Sequence, residues 1–327
     1  MTIYMGIDVS KDKLDVAILQ DQQAPVYALF DNTRKGFHSL KNFLSKRKIT
    51  ALQACLEATG HYSDDIALFL HELGFTVSVV NPARIKSYAD SRLRHQKTDA
   101  SDALLSADFC RTQQPEAWTP PAPEIVELQA LARHLDSLKT MRQQEINRRQ
   151  AGIPSQTVLQ TVEEHIVFLD KQIDDLDQQI RDHINRHPHL REQRDLLTSI
   201  PGIGDLTACK LLAEIRDIQA FENAPQLVAF AGLNPTQRIS GTSVKTKPRI
   251  SKRGSPHLRT ALFFPAMVAK KHNPILACFA QRLSEAGKCK KAVIVAIMRK
   301  LLHLVYGILK SGRPFDPHYL DNLAIPS

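Results

Sequence analysis

Between residues 128 and 180 the apolar side chains recur with a helical period and not a strand period. Leu128, Leu131, Leu135 and Leu138 fall at spacings of 3, 4 and 3. Beyond "GIPS" (Gly152 to Ser155), Val162, Ile166, Leu169, Ile173, Leu176 and Ile180 continue at 4, 3, 4, 3 and 4. Alternating threes and fours predict two long helices folded back on each other at a Gly/Pro bend, a coiled-coil hairpin or oligomerising arm. Two ordinary core-packed helices would carry the same spacing, but the polar run "DDLDQQIRDHINRH" favours an exposed arm. Such a segment cannot enter a sheet, so it divides the chain. The Pro-rich break "TPPAPE" opens it and "HPHLREQRD" closes it, giving expected domains of 1–112, 113–189 and 190–327.

Ahead of the break the pattern is mixed. "IYMGIDVSKDKLDVAILQ" holds two β-rich runs around a polar turn, and "PVYALFDN" predicts a third strand. An amphipathic helix follows in "KGFHSLKNFLSKR", then a strand in "ALQACLEAT", a helix in "SDDIALFLHELGF" and a strand in "TVSVVNP". Helical segments around "ARIKSYADSRL" and "TDASDALLSADFCR" complete an α/β domain with a mixed sheet. Behind the arm the chain is expected to be mainly α, with one loop around residues 238–259.

Charge separates the two ends. From residue 191 onward, 21 Lys and Arg face 9 Asp and Glu, while residues 1–190 carry 22 against 25. A basic C-terminal part suggests a polyanionic partner, nucleic acid above all, although a generally sticky basic surface has the same composition. The apolar fraction of 43% and charged fraction of 24% are those of a folded globular protein. No run approaches the roughly 20 apolar residues of a membrane span, because "AVIVAIMRKLLHLVYGILK" is interrupted by Arg299, Lys300 and His303. The start "MTIYMGIDVS" has no signal-peptide pattern, and the scattered Cys55, Cys110, Cys209, Cys278 and Cys289 read as reduced thiols. A cytoplasmic protein without membrane partners is the expectation.

Four carboxylates stand out by placement. Asp8 lies within the first apolar strand and Glu57 at the end of "CLEATG", where an uncompensated charge is costly. Asp99 and Asp102, three apart in "KTDASDA", share one helix face. Convergence of the four would demand divalent cations, and all-oxygen donors suit Mg²⁺, with Mn²⁺ as a substitute. Paired cations of that kind serve phosphodiester chemistry. The plainer alternative makes Asp99 a helix N-cap and Asp102 part of its first turn.

Two further stretches bear on nucleic acid. "LLTSIPGIGDLTACKLLAEI" has the pattern of a helix-hairpin-helix, in which Gly202 and Gly204 let the backbone approach a phosphate; a plain tight turn is the alternative. "RISGTSVKTKPRISKRGSPHLR" (Arg238 to Arg259) holds seven Lys/Arg, four serines and no carboxylate. Arg238, Lys245, Lys247, Arg249, Lys252, Arg253 and Arg259 are its candidate phosphate contacts. A serine needs a base or metal to become a nucleophile, and within this stretch only His257 qualifies. Ser240 beside Gly241 is only weakly singled out.

Taken together, "GIDVSKDKLDVA", "EATGHY", "VNP" and "KTDASDA", followed by "IPGIG", "FAGLNP", "SGTS" and "SKRGSPHLRTAL", resemble the DEDD-type insertion-sequence transposases nearly end to end. The resemblance implies a ribonuclease H-like, Holliday-resolvase-like first domain and Asp8, Glu57, Asp99 and Asp102 as its metal-binding tetrad. It also implies Ser240 as the nucleophile, a noncoding bridge RNA pairing with donor and target DNA, and a homo-oligomer, dimer or tetramer, on the DNA. Two other readings stay open on the residues alone. One is a structure-selective nuclease that uses metal-activated water; the other is a non-catalytic nucleic-acid scaffold.

Overall fold

The computed structural model describes residues 2–20, 23–58, 60–92, 98–236, 239–240, 244–245 and 249–318. They form two compact units, Met1–Pro120 and Pro121–Ser327; the predicted arm is counted in the second.

The first unit is a five-stranded sheet in the order β3-β2-β1-β4-β5. Strands β1 (Tyr4–Val9), β2 (Lys13–Leu19) and β3 (Val26–Asp31) run antiparallel as a meander, while β4 (Gln53–Glu57) and β5 (Thr76–Val80) lie parallel to β1. This mixed order is consistent with the ribonuclease H-like fold. Period-two alternation sorts β1 between two layers. Met5, Ile7 and Val9 join Leu14, Val16 and Ile18 of β2 in a core closed by α1 (Arg34–Lys46) and α2 (His61–Glu72). Across the sheet, α4 (Asp99–Gln113) packs on β1, β2 and β4, and its Leu105, Phe109 and Cys110 meet Cys55 and Ile85.

Gly6 admits that helix. A Cβ there would stand 2.0 Å from the Ala103 carbonyl oxygen and 2.3 Å from the Ala107 nitrogen, so helix backbone rests directly on strand backbone. The helix is tied to α3 (Pro82–Ser91) at Asp108: the Tyr88 hydroxyl donates to its Oδ2 at 2.7 Å, while Arg111 of the same helix donates to Oδ1 at 2.7 Å.

The second unit begins with α5 (Pro123–Gln150) and α6 (Gln156–Arg186), an antiparallel hairpin turned at Gly152, whose φ is +92°. The heptad positions Leu128, Leu135, Leu138, Val162, Ile166, Leu169, Leu176 and Ile180 are all buried. The root of the hairpin shares its core with α7 (Pro188–Thr198), α8 (Asp205–Ile215), α9 (Ala224–Phe230), α10 (Pro256–His272), α11 (Pro274–Glu285) and α12 (Lys290–Ser311). Helix α12 corrects one expectation. Its 22 residues are long and apolar enough to cross a membrane by length and composition, yet Val293, Ile297, Leu301, Leu302 and Val305 form a buried stripe inside the helical core. Arg299 and Lys300 lie on the exposed side of that helix, so they do not interrupt its apolar face.

A buried acid ties distant segments together. Glu214 of α8, 7% exposed, receives two hydrogen bonds from Arg133 of α5, at 2.8 and 3.2 Å, and one from Ser255 at 3.2 Å. Ser255 also caps α10 by accepting from the Leu258 amide. Lys210 of α8 pairs with Asp136 one turn further along α5.

Two tests follow from these contacts. Gly6→Ala should cost about 3 kcal/mol or more in urea unfolding, because the clash is with backbone and cannot be relieved by a rotamer. Gly307→Ala, in exposed helix with open space around its Cβ position, should instead stabilise by roughly 0.5–1 kcal/mol. Arg133→Met should destabilise by about 3 kcal/mol by stranding the Glu214 charge, and Arg133→Met with Glu214→Leu should recover most of that loss.

Candidate functional site

Register assembles the acidic edge. In the row beneath α4, Gly6 lies between Ala17 of β2 and Cys55 of β4. One row further on the same face, Asp8 pairs with Asp15 of β2. Ile7 pairs with Leu56, so Glu57 comes next to Asp8 at the C-terminal ends of two adjacent parallel strands. The small row seats the helix, and the following row carries three carboxylates, each half-buried.

Helix α4 brings the other two. Its first turn carries Asp99 and Asp102, where the helix dipole favours negative charge. Asp99 is not the cap: Thr98 is, accepting from the Ser101 amide at 3.2 Å while the Ser101 hydroxyl reaches the Thr98 amide at 2.9 Å. That capping box satisfies the helix start without either aspartate and leaves both carboxylates for another task. The first turn immediately precedes Ala103, the residue that rests on Gly6, so it lies at the acidic row.

Asp15 was not among the residues singled out from sequence. Burial pushes its carboxyl above the usual range, the charge of Asp99 adds to the rise, and Lys13 opposes it. Asp99 therefore lies within electrostatic reach of the β2 acid. The signal was present in the sequence: a tight turn between Val9 and Leu14 sets Asp8 opposite Asp15. Behind the row, Cys55 and Cys110 are fully buried free thiols. A hydrogen bond between them, burial and the nearby Glu57 charge all raise the Cys55 pKa, which keeps that thiol protonated.

The donor set fits a hard divalent cation, being all carboxylate oxygen on one sheet edge. The side chains share that edge without closing on one point: among the described residues no three acidic, histidine or cysteine groups are gathered into a metal cluster.

The basic stretch is not the open loop expected. β6 (Pro235–Thr236) pairs with β9 (Arg249–Ile250), and β7 (Ile239–Ser240) pairs with β8 (Val244–Lys245), two nested antiparallel rungs. Ser240 is opposite Val244 in the outer rung. The base of the ribbon is clamped to the end of α9: Lys252 N donates to Gly232 O at 3.0 Å, Ser251 N to Asn234 O at 2.9 Å and Ser255 N to Phe230 O at 2.8 Å. Gly254 permits this, since a Cβ there would stand 2.2 Å from the Phe230 carbonyl oxygen.

Of the predicted phosphate contacts, Arg249, Lys252 and Arg253 are exposed beside the ribbon. Arg259 is spent inside the protein: its Nη1 donates to the carbonyls of Ala231, Gly254 and Ser255 at 3.0, 2.9 and 3.2 Å, and burial lowers its pKa. Ser240 and Lys245 are placed by their backbone only, and Arg238 and Lys247 lie outside the described residues. In "IPGIG", Gly202 has a φ of +111°, and a Cβ there would stand 2.7 Å from the Cβ of Ala269 in α10. That glycine is required for packing. Gly204 is the N-cap of α8, with Asp205 in the first turn.

Comparison with known proteins places the chain in a family. The DEDD-type IS110 "Transposase" family model matches residues 5–153, and the model described as "Transposase IS116/IS110/IS902 family" matches residues 194–281. The chain is 34% identical to the pilin gene-inverting protein of Moraxella bovis over 96% of its own length and 97% of the relative's. It is 23% identical to the transposase for insertion sequence element IS1111A of Coxiella burnetii, over 82% of this chain and 78% of that one. A 42 kDa protein of insertion element IS900 from Mycobacterium paratuberculosis is 26% identical over 57% of this chain and 47% of its own. The chain belongs to the IS110/IS116/IS902 family of insertion-sequence transposases, enzymes that recombine DNA.

Proposed function

We propose that this transposase cuts and rejoins DNA with Ser240 as nucleophile, with Asp8, Glu57, Asp99 and Asp102 holding Mg²⁺ (Mn²⁺ can replace it), and with a noncoding bridge RNA choosing donor and target. The observation that carries the reading is the acidic edge. Asp8 and Glu57 end adjacent strands on the face that α4 covers, and the first turn of α4 adds two more carboxylates. Bound divalent ions supply positive charge to the attacking and leaving oxygens of a phosphodiester.

The residues of the chain divide the remaining work. Ser240 Oγ bonds to phosphorus as the phosphorus–oxygen bond to the leaving strand breaks, and the departing oxygen takes up a proton. The stretch 238–259 has no carboxylate, so apart from His257 any base that activates Ser240 comes from outside it. Arg249, Lys252 and Arg253, exposed on a clamped ribbon, hold the phosphate backbone and offset charge on the pentacovalent phosphorus. Recombination handles four DNA ends, which calls for a homo-oligomer, dimer or tetramer. Exposed Met141, Val167 and Phe168 on the α5–α6 hairpin suit that hairpin to contact a second copy of the chain.

A second reading concerns the outcome and not the chemistry. The pilin gene-inverting protein covers the chain end to end, and that relative favours inversion of a segment between two sites over insertion at a new one. A plasmid carrying two copies of the element's end separates inversion from insertion by the size of the junction fragments.

In a strand-cleavage assay with Mg²⁺, Asp8→Ala and Asp102→Ala should each lower the rate by at least about a hundredfold, the scale of losing one transition-state charge stabiliser. Ser240→Ala should abolish the covalent protein–DNA adduct, and peptide mapping of trapped wild-type adduct should find the label on Ser240. Cleavage retained by Ser240→Ala and lost in Asp8→Ala would instead establish water as the nucleophile. Full activity in both would reduce the protein to a scaffold. Each of Arg249→Ala, Lys252→Ala and Arg253→Ala should flatten the dependence of log affinity on log salt by about one unit. A discrete RNA species should accompany the purified protein, identified by sequencing the bound nucleic acid.

A further inference from the structure

Asp15 is a carboxylate that the tetrad leaves unused. It pairs with Asp8 across the β1–β2 ladder, and its side chain is on the same sheet face as those of Asp8 and Glu57. It is half-buried in mid-strand, where aspartate is a poor β-former and where like charges directly opposite each other are destabilising. Among the described residues its carboxylate has no hydrogen bond and no salt bridge. Among the described residues its charged neighbours are Asp99, which repels it, and Lys13 on its own strand. Asp15 therefore stands between an acid on β1 and an acid on α4.

We propose that Asp15 is a fifth carboxylate of the cation site, acting from β2 on the divalent ion shared by Asp8 and Asp99, as a direct ligand or through one of the ion's waters. This assignment rests on the tetrad reading above and extends it to a residue outside the four. It accounts for an aspartate kept in a strand where packing alone would select an apolar or β-branched residue. It also makes β2, and not only β1, β4 and α4, part of the site, so that a hairpin of fixed register aligns two of the ligands without any tertiary contact. Asp15 is a positioning residue here: it sets how tightly and where the ion sits, and it touches no reacting atom.

The test uses full-length protein and Mn²⁺ as the probe, with free Mn²⁺ followed by electron paramagnetic resonance in wild type, Asp15→Asn and Asp8→Asn. Asp15→Asn should raise the Mn²⁺ dissociation constant by about tenfold, the scale of losing an orienting partner of a metal site. Asp8→Asn should lose the site altogether. The metal-free melting temperature of Asp15→Asn should equal or exceed that of wild type, since a like charge is removed. An unchanged dissociation constant in Asp15→Asn, with binding lost in Asp8→Asn, would overturn the role of Asp15 and leave the tetrad standing. So would weaker binding accompanied by a lower metal-free melting temperature, which marks a structural residue. No Mn²⁺ binding by wild type would overturn the tetrad and Asp15 together.

Discussion

The packing of α4 on β1 at Gly6 is the contact on which the acidic edge depends. Asp99 and Asp102 are about ninety residues from Asp8, and nothing local brings them to it. A helix lying at the usual distance over a sheet of branched side chains would hold its first turn several ångströms further out. The Ala17–Gly6–Cys55 row removes that spacer, so helix backbone meets strand backbone and the next row, Asp15–Asp8–Glu57, comes under the helix start. Asp108, held by Tyr88, Arg92 and Arg111, then fixes the far end of the helix against α3.

A comparable device organises the second unit. The short motifs around "FAGLNP" and "SKRGSPHLR" are separated by some twenty residues, yet they form one framework through the Lys252–Gly232, Ser251–Asn234 and Ser255–Phe230 backbone bonds. Ser255 continues to Glu214, and Glu214 to Arg133 on the long hairpin. A buried carboxylate is costly when alone, so each of its partners is constrained. The β6–β9 pair, which flanks Ser240 in the chain, is therefore anchored through polar contacts reaching α5. Glycines at 232 and 254 allow the two segments to approach that closely.

Much of this was legible in one dimension. Hydrophobic period identified all five strands of the sheet and both arms of the hairpin, because a half-buried strand and a two-sided helix impose different spacings on the same residues. Asp8 and Glu57 were legible as site candidates because an acid in an apolar strand is expensive. Asp15 has the same local setting as Asp8, between buried Leu14 and Val16, and what adds it to the acidic row is its cross-strand partner, a matter of register. Arg259 has a role that composition does not reveal. Basic composition placed it among the phosphate contacts, but its Nη1 serves three main-chain carbonyls. The short ribbon was read as a loop because strands of two residues leave no period to detect.

By itself the sequence determined the element order, the charge asymmetry and the identity of the acids, since these follow from residue type and local spacing. Only the tertiary structure decided which acids share an edge, that Thr98 and not Asp99 caps α4, and which neighbours Gly202 and Arg259 Nη1 meet. Those outcomes depend on register and on backbone approach at Gly6 and Gly254. Both are set by contacts between residues far apart in the chain, where spacing along the sequence carries no information.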